Sequence, residues 1–166
     1  PLGYDPDFTM RALPTLESDG AGGLTAPEIL VWDDTGDPEA MVAMYSALTQ
    51  MVGRVGTDYD VYRTRGASSG VGNGLGGRAT AEILSVYDLI LYCSGDQPHY
   101  TITRPDFRKD PGDDLGVLTA WLEQGGKGLF LSGDNLAADL TSAQMTEGQN
   151  FAHNLMGVDL VDRDIF

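Results

Sequence analysis

The stretch DLILYCSGDQ (Asp88–Gln97) decides the fold, because it is an apolar run that stops abruptly at Ser-Gly-Asp. KGLFLSGDN (Lys127–Asn135) repeats that ending about one βαβ unit later. A short, continuous Leu/Ile-rich run bounded by turn residues is the pattern of a strand buried on both faces. Strands are therefore expected at Tyr87–Cys93 and Lys127–Ser132. Upstream, EILVWDD (Glu28–Asp34) is a third such run, between a proline and a turn, and YDVYRTR (Tyr59–Arg65) alternates as a strand should. VDLVD (Val158–Asp162) is a candidate fifth strand.

Helical patterns separate these runs. Asp37-Pro38 offers an N-cap followed by a first-turn proline. Met41, Met44, Tyr45, Leu48, Met51 and Val52 then follow at helical spacing as far as Gly53. GASSGVGNGLGG (Gly66–Gly77) is a glycine loop leading to a short helix around Thr80–Ser85. PGDDLGVLTAWLEQGG (Pro111–Gly126) carries Leu115, Leu118, Trp121 and Leu122 on one face, with Asp113 or Asp114 as its cap. GQNFAHNLMG (Gly148–Gly157) is a last helix. Strands alternating with helices predict a doubly wound α/β domain, a parallel sheet with helices on both faces. Residues 28–166 form this domain, and its final VDRDIF reads as a strand end or tail, which leaves a C-terminal truncation open. Residues 1–27 contain four prolines and no apolar period, and read as an extended arm or linker, with Phe8, Leu13 and Leu16 available to pack it on the body.

Right-handed crossovers gather the C-terminal ends of all the strands on one rim, where ligands bind in open α/β sheets. Asp33, Asp34, Cys93, Ser94, Asp96, Ser132, Asp134 and Asn135 are expected there. Glycine lets the chain turn at each ending, while Ser and Asp accept from exposed amides. Topology alone accounts for the repeated motif.

The 166 residues carry a formal charge of -15, with 25 acids against 10 bases, and an apolar fraction of 42%. The mean hydropathy is -0.17. Such a surface repels nucleic acid and anionic membranes, so neither is an expected partner. No run is long enough to insert in a bilayer, and no signal peptide is visible. A chain starting at Pro1 is expected to be a processed or excised piece. The single cysteine excludes an internal disulfide framework.

Three chemistries can be read at the rim. Ser132 at a strand-to-helix turn is a candidate nucleophile, with His99 as base and Asp96 as the orienting acid. His153 and Asp134 are alternatives in those two roles, and Cys93 is a second candidate nucleophile. The G-x-S-x-G elbow is missing at Ser132, where Leu131 precedes the serine. Asp33, Asp34 and Asp134 are candidate metal ligands, whose oxygens suit calcium or magnesium. No Asp-x-Asp-x-Asp-Gly ladder accompanies them, and no cofactor is firmly implied. Gly72, Gly74 and Gly77 match G-x-G-x-x-G, but in so glycine-rich a loop the match carries little information. Arg65 and Arg78 flank that loop and could hold an anion.

ILVWDD (Ile29–Asp34), YDLILYCSGD (Tyr87–Asp96), WLEQGGKGLFLSGDN (Trp121–Asn135) and FAHNLMGVDLV (Phe151–Val161) together resemble one family. These are flavodoxin-like, class I glutamine amidotransferase-like domains of large secreted bacterial proteins, which sit beside peptidase or immunoglobulin-like modules. The resemblance implies a three-layer α/β/α fold, an extracellular or cell-surface location and an accessory role. Its partners would be neighbouring domains or other proteins. In true amidotransferases the nucleophilic cysteine stands where Ser132 stands here, so the likeness implies a degenerate domain. The chain is also similar to receiver domains of two-component signalling. In that likeness Asp33 and Asp34 match the metal-binding acids and Ser132 the hydroxyl, while Cys93 replaces the phosphoacceptor. The expected function is a non-catalytic binding or interaction module. The alternatives are a hydrolase or acyl-transfer enzyme using Ser132, and a receiver-like domain lacking its phosphoacceptor Asp.

Overall fold

The computed structural model describes residues 12–37, 39–64, 74–99, 101–102, 112–141 and 146–159. A hairpin of β1 (Glu17–Ser18) and β2 (Leu24–Thr25) precedes a sheet of β3 (Ile29–Asp33), β4 (Asp60–Arg63), β5 (Leu89–Cys93) and β6 (Gly128–Ser132). The helices are α1 (Val42–Met51), α2 (Ala81–Leu84), α3 (Asp114–Leu122), α4 (Leu136–Leu140) and α5 (Thr146–Asn154), with a 3-10 turn at Leu75–Gly77.

All pairings in the main sheet are parallel, in the order β4-β3-β5-β6. Counted by entry into the sheet this is second, first, third, fourth, the flavodoxin-like order of a three-layer α/β/α fold. Direction reverses between β3 and β5, and this switch point opens at their C-terminal ends. The register sets Asp33, Cys93 and Ser132 side by side across three strands.

Strand parity divides the core in two. Leu30, Trp32, Ile90 and Tyr92 are buried on one face against Leu84, Leu115, Leu118, Trp121 and Phe151. The Trp32 and Tyr92 rings meet edge to face with centroids 4.7 Å apart. Trp121 Nε1 donates to the Tyr87 carbonyl at 3.0 Å, which satisfies the indole inside this layer. Each large side chain buried here contributes about 1.5–3 kcal/mol. On the other face Val31, Val61, Leu91 and Cys93 meet Met41, Met44, Tyr45 and Leu48 of the α1 segment.

Local signals explain most boundaries. Asp113 caps α3 by accepting from the Gly116 amide at 2.9 Å, and Thr80 caps α2 by accepting from Ile83 at 3.3 Å. Helix α1 begins later than Asp37-Pro38 suggests, with Met41 at its N-cap and no side-chain cap. The Asp37 carboxylate is spent on the Glu39 amide at 2.9 Å, one turn too early to cap α1. Helix α4 was not expected, since LAADL spans little more than a turn. Val158 and Asp159 are irregular, and the rest of the candidate fifth strand lies outside the described residues, as do Gly66–Asn73 and Phe8.

Residues 12–27 of the arm are tied down by specific hydrogen bonds. Asp19 Oδ1 accepts from Ala21 at 2.7 Å and Gly23 at 2.8 Å, closing the β1–β2 turn; those amides hold its carboxyl below the ordinary range. Asp60, buried at the start of β4, accepts from the Thr15 amide (2.8 Å), the Thr15 hydroxyl (2.6 Å) and the Tyr87 phenol (2.8 Å). That acid pins the arm to the sheet. Leu13 packs on the core, whereas Leu16 is exposed.

Candidate functional site

The switch-point rim is built from two adjacent acids that face apart. Successive residues of a strand point to opposite faces, so Asp33 turns toward α1 and Asp34 toward the layer of α3. Asp33 Oδ2 accepts from the Tyr45 phenol at 2.7 Å and pairs with Arg63 Nε at 3.2 Å. The Arg63 guanidinium lies 5.1 Å from the centroid of the Tyr45 ring, a cation–π contact that completes the cluster. Asp33 Oδ1 lies 2.9 Å from the Thr35 hydroxyl. Burial, reinforced by the hydrogen bond to Asp33, raises the Tyr45 phenol above its ordinary value, so it remains a donor.

Asp34 is completely buried. Its Oδ2 accepts from the Tyr92 phenol at 2.9 Å and its Oδ1 from the Thr64 hydroxyl, while its carbonyl accepts from the Gln97 amide. Burial raises the Tyr92 phenol too, with the Asp34 charge acting in the same direction. Donors from the end of β4 and from β5 thus converge on the Asp34 carboxylate, while the turn after β5 holds its backbone carbonyl. A buried charge persists only when hydrogen-bonded in this way.

The two Ser-Gly-Asp endings use glycine differently. Gly95 has φ +60°, a left-handed turn that glycine adopts without strain. Gly133 has no positive φ; a Cβ there would collide with Ser94 Oγ. The second glycine is required by close approach, and the expectation that it serves the turn is corrected accordingly. The endings are also tied to each other, because Ser94 N donates to the Ser132 carbonyl and Asp134 N to the Gly95 carbonyl, both at 2.9 Å.

The other sequence candidates are spread out. Ser132 is half-buried beside Cys93, itself a half-buried free thiol. His99, Asp96 and Asp134 are exposed. No hydrogen bond joins Ser132 Oγ to an imidazole among the described residues. His153 instead pairs with Asp159 at 2.7 Å on the exposed end of α5. Asp33 and Asp34 do not share a face, and no group of three or more His, Cys, Asp or Glu able to hold a metal occurs among the described residues. No helix among them is long and apolar enough to cross a membrane.

Sequence reasoning missed Tyr45, Thr64, Tyr92 and Gln97 as the donors of the rim. One signal was available: two consecutive acids at a strand end must part, and each then needs its own partners. Comparison of the chain with family models, curated proteins and solved structures gives no match.

Proposed function

We propose that this chain is a non-catalytic interaction module, a degenerate amidotransferase-like domain of a larger secreted or cell-surface bacterial protein. Its contact surface is the outer face of β6, and the occupant is a folded domain adjoining it in the same polypeptide. The observation that carries the reading is Phe130, which stands in the middle of a parallel strand and is nevertheless 51% exposed. Strands of parallel sheets are normally covered on both faces. Among the described residues, α1 alone packs on this side, over Val31, Val61 and Leu91. A helix is about 10–12 Å across and strands lie about 4.8 Å apart, so α1, seated over β3 with its flanks on β4 and β5, does not extend to β6. β6 is the strand left over. The rim supports the non-catalytic part of the reading, because the carboxylates of Asp33 and Asp34 are engaged by the protein's own hydroxyls and guanidinium.

Titrating the isotope-labelled chain with the folded units encoded beside it in the same gene tests this. The expected result is amide shifts centred on Leu129–Leu131, abolished in Phe130→Glu. A coding frame with no adjoining unit, or shifts that avoid β6, overturns it. Hydrolysis of activated esters that disappears in Ser132→Ala would establish the acyl-transfer reading instead.

A further inference from the structure

A cleft of about 1110 Å³ runs along the β4 edge, at the opposite edge of the sheet from β6 and Phe130. Its walls mix aliphatic side chains, such as Leu30, Val61, Leu75 and Ile83, with tyrosines, such as Tyr45 and Tyr62. Its charged residues are Arg63 and Arg78, and no Asp, Glu or His lines it among the described residues. The chain as a whole carries 25 acids and 10 bases, so this cleft inverts the charge balance of the molecule.

The two arginines are differently placed. Arg63 is held through Nε by Asp33 and Tyr45, and the Asp33 carboxylate offsets its charge. Arg78 is exposed and forms no ion pair among the described residues. Its field reaches the neighbouring Tyr62 phenol, which burial pushes up to about 12 and which Arg78 draws back down. The Asp114 and Asp34 carboxylates act on the same phenol in the opposite direction, so the cleft offers one guanidinium without an ion-pair partner among the described residues rather than an isolated charge, beside its aliphatic and aromatic wall.

From this we infer that the β4-edge cleft binds a small amphipathic monocarboxylate, its carboxylate on Arg78 and its apolar body along Val61, Leu75 and Ile83. Guanidinium donors match a carboxylate in bidentate geometry. A single negative charge fits better than a phosphate dianion, because the net charge of -15 opposes each further negative charge brought to the surface. The cleft is slightly larger than most small-molecule sites, and a lining of aliphatic and aromatic side chains with a charged anchor is their usual make-up.

Decanoate, titrated into the intact chain and followed by calorimetry and amide shifts, is the test, with decanol as the uncharged counterpart. Saturable binding of decanoate is expected, with shifts at Val61 and Ile83 and weaker binding of decanol. Arg78→Ala should weaken decanoate about tenfold, the scale of one charge-assisted hydrogen-bonding pair, and Arg78→Lys should restore part of it. Arg78 is exposed, so an unchanged far-ultraviolet spectrum and melting temperature certify the fold of both variants. Lys127→Ala, at the other edge of the sheet, should change nothing. Equal affinity for decanol, an unaffected Arg78→Ala variant, shifts confined to Phe130, or no saturable binding in the millimolar range would each overturn the inference.

Discussion

The rim above β3 and β5 and the outer face of β6 are neighbouring parts of one sheet with opposite characters. At the rim the polar groups have been brought inward: Asp34 is fully buried, and Tyr92 and Thr64 arrive from other strands to meet it. On β6 an apolar side chain has been left outward, with Phe130 half exposed where a parallel sheet is normally covered. The difference teaches that position at a fold's usual ligand-binding edge does not make a residue available to a ligand. A carboxylate engaged by several internal donors has little capacity left for a metal or a substrate, whereas a bare strand face retains all of its apolar surface.

The comparison is broken most severely at its closed end. Asp34→Ala should cost about 3 kcal/mol of unfolding free energy in urea titrations, because the Tyr92 and Thr64 hydroxyls are left buried without their acceptor. A loss below about 1 kcal/mol would mean that the carboxylate is not held as described. Gly133→Ala should destabilise by about 1–2 kcal/mol through the clash with Ser94 Oγ, and Ser94→Ala in the same chain should relieve most of that loss. At the open end, Phe130→Ser should cost about 1 kcal/mol or less, since the ring loses little burial. Equal penalties at Asp34 and Phe130 would erase the contrast.

The smallest effect concerns pH. Burial raises Tyr62 from 10.0 to about 12. The unfolded chain then gives up this proton first as the solution becomes alkaline. The Tyr62 contribution is therefore complete below pH 10 and is lost as pH rises from 10.0 toward about 12. Thermal melts across that window should fall less steeply in Tyr62→Phe than in the parent chain. Identical slopes would show that Tyr62 does not titrate between those limits.

Much of the sheet was legible in the sequence because ILVW (Ile29–Trp32) and LILYC are continuous apolar runs, a pattern that fits a strand covered on both sides. Parallel order followed from strands alternating with helices. Short-range chemistry was less reliable. Asp37-Pro38 looks like a helix start, yet Asp37 serves the loop and α1 opens at Val42 without a side-chain cap. Helix α4 is too short to establish a period. At the site, the gathering of Asp33, Cys93 and Ser132 on one rim could be read from topology. Which acids remain available could not, because the donors that occupy them lie far away in sequence. Tyr45 is 12 residues from Asp33, Thr64 is 30 from Asp34, and Tyr92 is 58 from it. The anchoring of the arm was hidden for the same reason, since Asp60 fixes Thr15 from 45 residues away.

A double-mutant cycle between Asp34→Ala and Tyr92→Phe, measured by equilibrium unfolding, tests most directly whether the rim is closed on itself. The two losses should couple by about 1 kcal/mol or more, with the double variant less damaged than the sum of the singles. Losses that add to within about 0.5 kcal/mol would contradict the account.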